Sequence, residues 1–167
     1  MLKFIVPNPP KHEIVLVDNY NEKICHFFEY QDYLTDIVNL RIDERFIDCK
    51  TSTFYQLKID GHDLIVVSCY GVSDSQEKMI QNANYPYIRL PKTDDAQESW
   101  EYMQDSERRV KCVSKFSKNE TNGKISERTL HILRDIEYIC LEDKGGFVVE
   151  EIYAEGIGLI KRSETTY

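Results

Sequence analysis

The run Glu150-Glu151-Ile152-Tyr153-Ala154-Glu155-Gly156-Ile157-Gly158-Leu159-Ile160-Lys161 carries the strongest structural signal in this chain. Just before and within it, Phe147, Val149, Glu151 and Tyr153 alternate with Val148, Glu150, Ile152 and Ala154. Period two in β-branched and aromatic residues predicts a strand. Gly156 and Gly158 flank Ile157, and a glycine inside a strand pattern marks a bulge or the close approach of another backbone. The run therefore reads as a strand, a glycine-marked bend and a second strand, Ile157–Lys161. It does not read as a phosphate cradle. That would need a third glycine or a Lys-Ser/Thr pair opening a helix.

Working outward, Thr129–Leu141 is the upstream partner strand, with Lys144-Gly145-Gly146 as the turn between the two. Ser99–Met103 and Arg108–Ser117 are the strands before it. In the second of these, Val110, Cys112 and Phe116 share a face and Lys111 and Lys115 point the other way, as in a sheet with one wet side. Ser117–Gly123 is a turn. Tyr85–Leu90 is strand-like and is closed by Pro91, and Thr93–Glu98 is an exposed acidic linker. Thr53–Ile59 and Leu64–Cys69 flank Asp60-Gly61-His62, a strong hairpin signal. Glu13–Val17 and Arg41–Asp48 read as further strands. Met1–Val6 reads as a short edge strand stopped by Pro7-Asn8-Pro9-Pro10, and Asp18–Asn21 as a turn.

Two segments favour helix. In Glu22–Leu40, Ile24, Phe27, Phe28, Leu34 and Val38 fall at helical spacing behind a capping Asn21, with a strand over Ile24–Tyr30 as the alternative. Ser73–Asn84 is a short helix capped from Ser73-Asp74-Ser75, or a long loop. The expected fold is α+β and β-dominated. It is a curved, half-barrel-like antiparallel sheet of roughly eight to ten strands with one or two helices. The chain reads as one domain, 1–167, with 1–50 the less defined part and 53–163 the sheet region.

The closing motif Tyr153-Ala154-Glu155-Gly156-Ile157-Gly158-Leu159-Ile160-Lys161 resembles that of uncharacterised lipoprotein-like envelope domains of the Bacteroidetes type. A second similarity lies in Tyr85-Pro86-Tyr87-Ile88-Arg89-Leu90-Pro91, followed by Ser99-Trp100-Glu101-Tyr102, although the glycine usual before that Trp is missing. The resemblance covers residues 53–163. It implies a curved antiparallel sheet and points to the bacterial cell envelope, with a leader removed. It says almost nothing about activity.

Composition limits the function further. The 167 residues are 41% hydrophobic, and tyrosine is frequent, with eleven against one Trp. A chain of this length can bury a full core without staples. The formal charge of −8 disfavours nucleic acid and anionic lipid, whose phosphates demand a positive footprint. It suits a basic protein partner. Cys25, Cys49, Cys69, Cys112 and Cys140 form no C-x-x-C pair, and an odd, scattered set fits free thiols in a reducing compartment. Read from these residues alone, the chain is a cytoplasmic protein with no membrane span. The cysteines and His12, His26, His62 and His131 are too dispersed for a metal site. Asp94-Asp95 lacks the loop and closing Glu of a calcium site. No cofactor is implied.

No residue set has the spacing of a catalytic constellation. Glu150 and Glu151 point to opposite faces of one strand, so they cannot serve one substrate atom. Glu151 shares its face with Phe147, Val149 and Tyr153. It is either an inward acid on a concave face or a partly exposed acid paired with Arg134 or Lys161. A non-enzymatic binding or scaffolding domain follows, holding an apolar small molecule, lipid chain or peptide on the concave face. The expected contact residues are Tyr153, Glu151, Phe147, Trp100 and Tyr102. An acidic protein–protein module, as inhibitor or assembly subunit, is the alternative. A small hydrolase or isomerase using Glu151 or a histidine is the third reading.

Overall fold

The computed structural model describes residues 13–17, 23–32, 37–45, 50–72, 78–80, 83–118, 128–139 and 145–167, with side chains for 37–43, 51–72, 83–118, 128–139 and 145–167. Twelve strands run along these residues: β1 (Glu13–Val17), β2 (Lys23–Asp32), β3 (Ile37–Arg45), β4 (Lys50–Asp60), β5 (Asp63–Val72), β6 (Lys78–Ile80), β7 (Pro86–Arg89), β8 (Gln97–Met103), β9 (Arg108–Lys118), β10 (Arg128–Tyr138), β11 (Gly146–Ala154) and β12 (Gly158–Thr166). They form two antiparallel sheets. The first has seven strands in the order β1-β2-β3-β4-β5-β6, with β7 also on β5; the second has five, in the order β12-β11-β10-β9-β8.

The expected α+β fold is thus corrected to all-β, and the single curved sheet to two sheets. No helix occurs among the described residues. Within residues 22–40, expected as a helix, the described residues form β2 and the start of β3. β2 hydrogen-bonds on both sides, to β1 and to β3. Ile, Phe and Tyr are strong strand formers, and ladder pairing on two edges outweighs a local helical period. β6 replaces the helix or loop expected within Ser73–Asn84. The strand Met1–Val6 with its proline stop, the turn 18–21, the caps at 73–75 and most of the turn 117–123 lie outside the described residues.

The expected β4–β5 hairpin is present, and its loop is the two residues Gly61-His62, since Asp60 pairs with Asp63. Only Gly61 there has positive φ, at 58°, which is the pattern of a type II′ turn. The glycines after β11 behave differently from expectation. They do not bulge a continuing strand; they reverse it. Ile157 N–H donates to Ala154 O (3.2 Å), and Gly156 holds φ 78° in the third position of that turn, a place that L side chains avoid.

The bulge comes later. Tyr153 pairs with Leu159 but Ile152 with Lys161, so Ile160 is the extra residue. Leu159 and Arg162, three apart, consequently both face inward. Strict alternation would have sent Lys161 in and Arg162 out. A second bulge, at Val67, does the same in β5: Val66 and Cys69 both turn inward while Val67 is left exposed.

One continuous core lies between the sheets. Val38, Leu40, Leu57, Leu64, Val66 and Ile88 meet Val110, Leu130, Ile132, Tyr153 and Leu159 there. Among the described residues β7 pairs with β5 alone, and its carbonyls are reached by side chains of the second sheet. Trp100 Nε1 donates to Pro86 O (2.8 Å), Ser114 Oγ to Arg89 O (2.6 Å) and Arg134 Nη1 to Tyr87 O (2.9 Å). Tyr85 stacks on Tyr102 with centroids 4.0 Å apart. These contacts cover an edge that would otherwise be open to pairing and fasten the two sheets to each other.

Candidate functional site

The core is filled at one end of the sandwich and opens at the other. Along β10 the inward positions run Leu130, Ile132, Arg134, Ile136; along β11, in the opposite direction, they run Tyr153, Glu151, Val149, Phe147. Leu130, Ile132 and Tyr153 are buried. From Arg134 and Glu151 onward the same faces line a cleft of about 450 Å³ between the sheets. Ile42, Thr53 and Tyr55 of β3 and β4 form its other wall, with Tyr87 and Tyr102 beside them.

A buried ion pair marks the inner end. Arg134 Nε donates to Glu151 Oε2 (3.0 Å), and the two side chains are 7% and 5% exposed. Arg134 Nη1 reaches Tyr87 O and, at 3.6 Å, Cys112 Sγ. The guanidinium also sits over the Tyr87 ring, 4.7 Å from its centroid. Among the described residues Nη2 has no hydrogen-bond partner. Tyr153 OH donates to Glu151 Oε2 (3.2 Å), and Arg162 Nε stands 3.9 Å from Oε1, beyond hydrogen-bond reach. Two arginines therefore bracket one carboxylate.

The electrostatics follow from burial. Desolvation pushes the phenols of Tyr55, Tyr87, Tyr102 and Tyr153 well above their ordinary value, so they remain protonated donors. Burial pulls Arg134 down, but Glu151, with Tyr102 and Cys112, more than offsets it and keeps the guanidinium charged. Burial raises Cys112 despite Arg134.

Of the expected contact residues, Glu151, Phe147 and Tyr102 line the cleft together. Tyr153 does not reach it: it is 1% exposed and serves Glu151 from the core side. Trp100 is a buried link between the sheets. Glu151 faces inward and is paired with Arg134, so the partly exposed acid of the sequence reading is corrected to a buried one. Lys161 pairs with Glu150 on the opposite face. Sequence reasoning had Arg134 only as a partner and missed Arg162, Tyr55 and Tyr87. The signal for Arg134 was present, because an arginine takes the parity of Leu130, Ile132 and Ile136. None existed for Arg162, whose inward direction depends on the Ile160 bulge.

Among the described residues no group of three or more His, Cys, Asp or Glu is arranged to hold a metal ion, and no helix is long and apolar enough to cross a membrane. Comparison with known proteins returned no match: no family model, no curated protein and no solved structure corresponds to this chain.

Proposed function

We propose that this protein is a non-enzymatic binding domain that holds a small, largely apolar molecule in the cleft between its two sheets. The cleft itself carries the reading. Its volume of about 450 Å³ is within the range of a small-molecule site, and its lining is mixed, with Thr53, Gln104, Arg108 and Arg134 among the aromatic and aliphatic side chains. Tyr55, Tyr87 and Phe147 offer ring faces, while Val149 and Ile136 add aliphatic wall. Native mass spectrometry of the purified chain tests it. Retention of a small added mass is expected, with loss of that mass in Thr53→Trp, which fills the wall of β4. A bare chain that also shows no amide shifts along β4, β10 and β11 in a fragment screen would sink the proposal.

The formal charge of −8 favours a second reading, an acidic module that docks on a basic partner. Such docking weakens as salt rises, so a pull-down unaffected by high salt argues against it.

A further inference from the structure

The geometry points to a subsite for a neutral hydrogen-bond acceptor, a carbonyl oxygen, at the Arg134 end of the cleft. The inference rests on the ligand-binding reading above and deepens it: the ligand is an uncharged molecule with a carbonyl on an apolar body.

An unused donor is the first ground. Arg134 lines the cleft and yet is only 5% exposed. Its Nε is spent on Glu151, and its Nη1 on Tyr87 O and Cys112 Sγ. Nη2 is buried and, among the described residues, has no hydrogen-bond partner. A buried donor left without an acceptor is costly and uncommon. Bulk water does not serve Nη2, because the atom is closed to solvent. A ligand oxygen that displaces the lining slightly would.

Charge is the second ground, and it selects a neutral ligand. Glu151 already pairs with Arg134 at 3.0 Å, and both are deeply buried. Asp105 engages Arg108, and Glu164 lines the same cleft. A second carboxylate would lose its hydration here and then face these acids. A carbonyl gives up far less on burial and accepts the same hydrogen bond, strengthened by the charge on the donor.

The walls are the third ground. Burial keeps the Tyr102 phenol protonated, so a second donor stands beside the guanidinium. Tyr55 and Phe147 offer ring faces to the ligand body, and Ile136 and Val149 aliphatic surface. Placed polar groups of this kind fix a ligand's orientation.

The test uses acetophenone, α-methylstyrene and benzoate. The first two share a shape and differ in C=O against C=CH₂; the third carries a charge. Each is titrated into the full ¹⁵N-labelled chain, following amides of β4, β10 and β11. Acetophenone should bind at least about tenfold more tightly than α-methylstyrene, as a hydrogen bond from a charged donor implies, and more tightly than benzoate. Arg134→Met/Glu151→Leu removes the guanidinium without stranding a buried charge and should bring the two neutral compounds to equal affinity. Should that variant not fold, the infrared carbonyl band of acetophenone bound to the unaltered chain decides. A band well below its position in hexane is expected, and one at the hexane position would refute the hydrogen bond. Equal affinities for the unaltered chain would refute the acceptor subsite while leaving the ligand-binding reading in place. A preference that survives the double replacement would refute the assignment to Arg134. Benzoate binding most tightly would overturn the neutral class. None of the three shifting any cleft amide would overturn both readings.

Discussion

Replacing Glu151 by glutamine removes one charge from the inner end of the cleft and almost nothing else. The amide keeps the volume and keeps an oxygen for Arg134 Nε and Tyr153 OH. Arg134 is then a buried cation with dipolar partners only, together with the Tyr87 carbonyl and ring. Because the pair is 7% and 5% exposed, solvent screening does not dilute the effect as it does at a surface pair. Removing one partner of a buried ion pair costs roughly 3–5 kcal/mol, and the retained acceptor puts this case near the lower end, about 3 kcal/mol. With a urea slope of about 2 kcal/mol/M, the unfolding midpoint falls by about 1.5 M. Trp100, the single tryptophan, lies buried at the sheet junction and reports the transition by fluorescence. The double replacement Arg134→Met/Glu151→Leu should recover about half of the loss or more, since no buried charge remains unmatched. A midpoint shift worth less than about 1 kcal/mol, the range of an exposed pair, would refute the reasoning.

Gly146→Ala should destabilise by about 1–3 kcal/mol, as overpacking does. Its new Cβ would meet Ile136 O at 2.5 Å and the Tyr167 hydroxyl at 2.7 Å, and unchanged thermal unfolding would contradict this. Burial, aided by Lys115, lowers the His131 pKa below 6.5. The unfolded chain therefore takes up that proton first, and stability is lost as pH falls from about 6.5 through the folded value; His131→Gln should flatten that slope. At Asp105 burial works upward, but the hydrogen bond from Arg108 wins and holds the carboxyl below 3.8. Its contribution is present above 3.8 and is lost as pH falls through the folded value, so Asp105→Asn should reduce the steepness of acid unfolding. Cys69, pushed up to about 12 by burial, and Cys112, also raised by burial, should resist iodoacetamide in the folded chain and react on unfolding. Peptide mapping that finds either labelled under native conditions would count against the packing described.

Much of the sheet content could be read along the chain, because alternation is a local property. The strands of the β4–β5 and β10–β11 pairs, and the inward set Val110, Cys112 on β9, follow from period two alone. Residues 22–40 misled because apolar side chains at helical spacing can also belong to a strand, and pairing with β1 and β3 decides between them. For Glu151 the neighbours Val149 and Tyr153 allowed an inward acid, but a partly exposed acid was equally open from the sequence, and only the packing between sheets decided for burial. Trp100 looked like a binding residue since an aromatic next to a tyrosine suits a ligand wall; its indole instead meets the Pro86 carbonyl, a contact between sheets that has no sequence signature.

By itself, the sequence determined that the chain folds mostly as antiparallel strands, where its strongest turns lie, and that an acid and an arginine occupy apolar parities on β11 and β10. These depend on side-chain period and on the φ that glycine permits, both set within a few residues. The tertiary structure alone decided that the strands divide into two sheets, that they part at one end into a cleft, and that Arg134 and Arg162 converge on Glu151. Those outcomes depend on register across strands, on one extra residue at Ile160 and on packing between sheets, and such long-range terms leave no mark on local pattern.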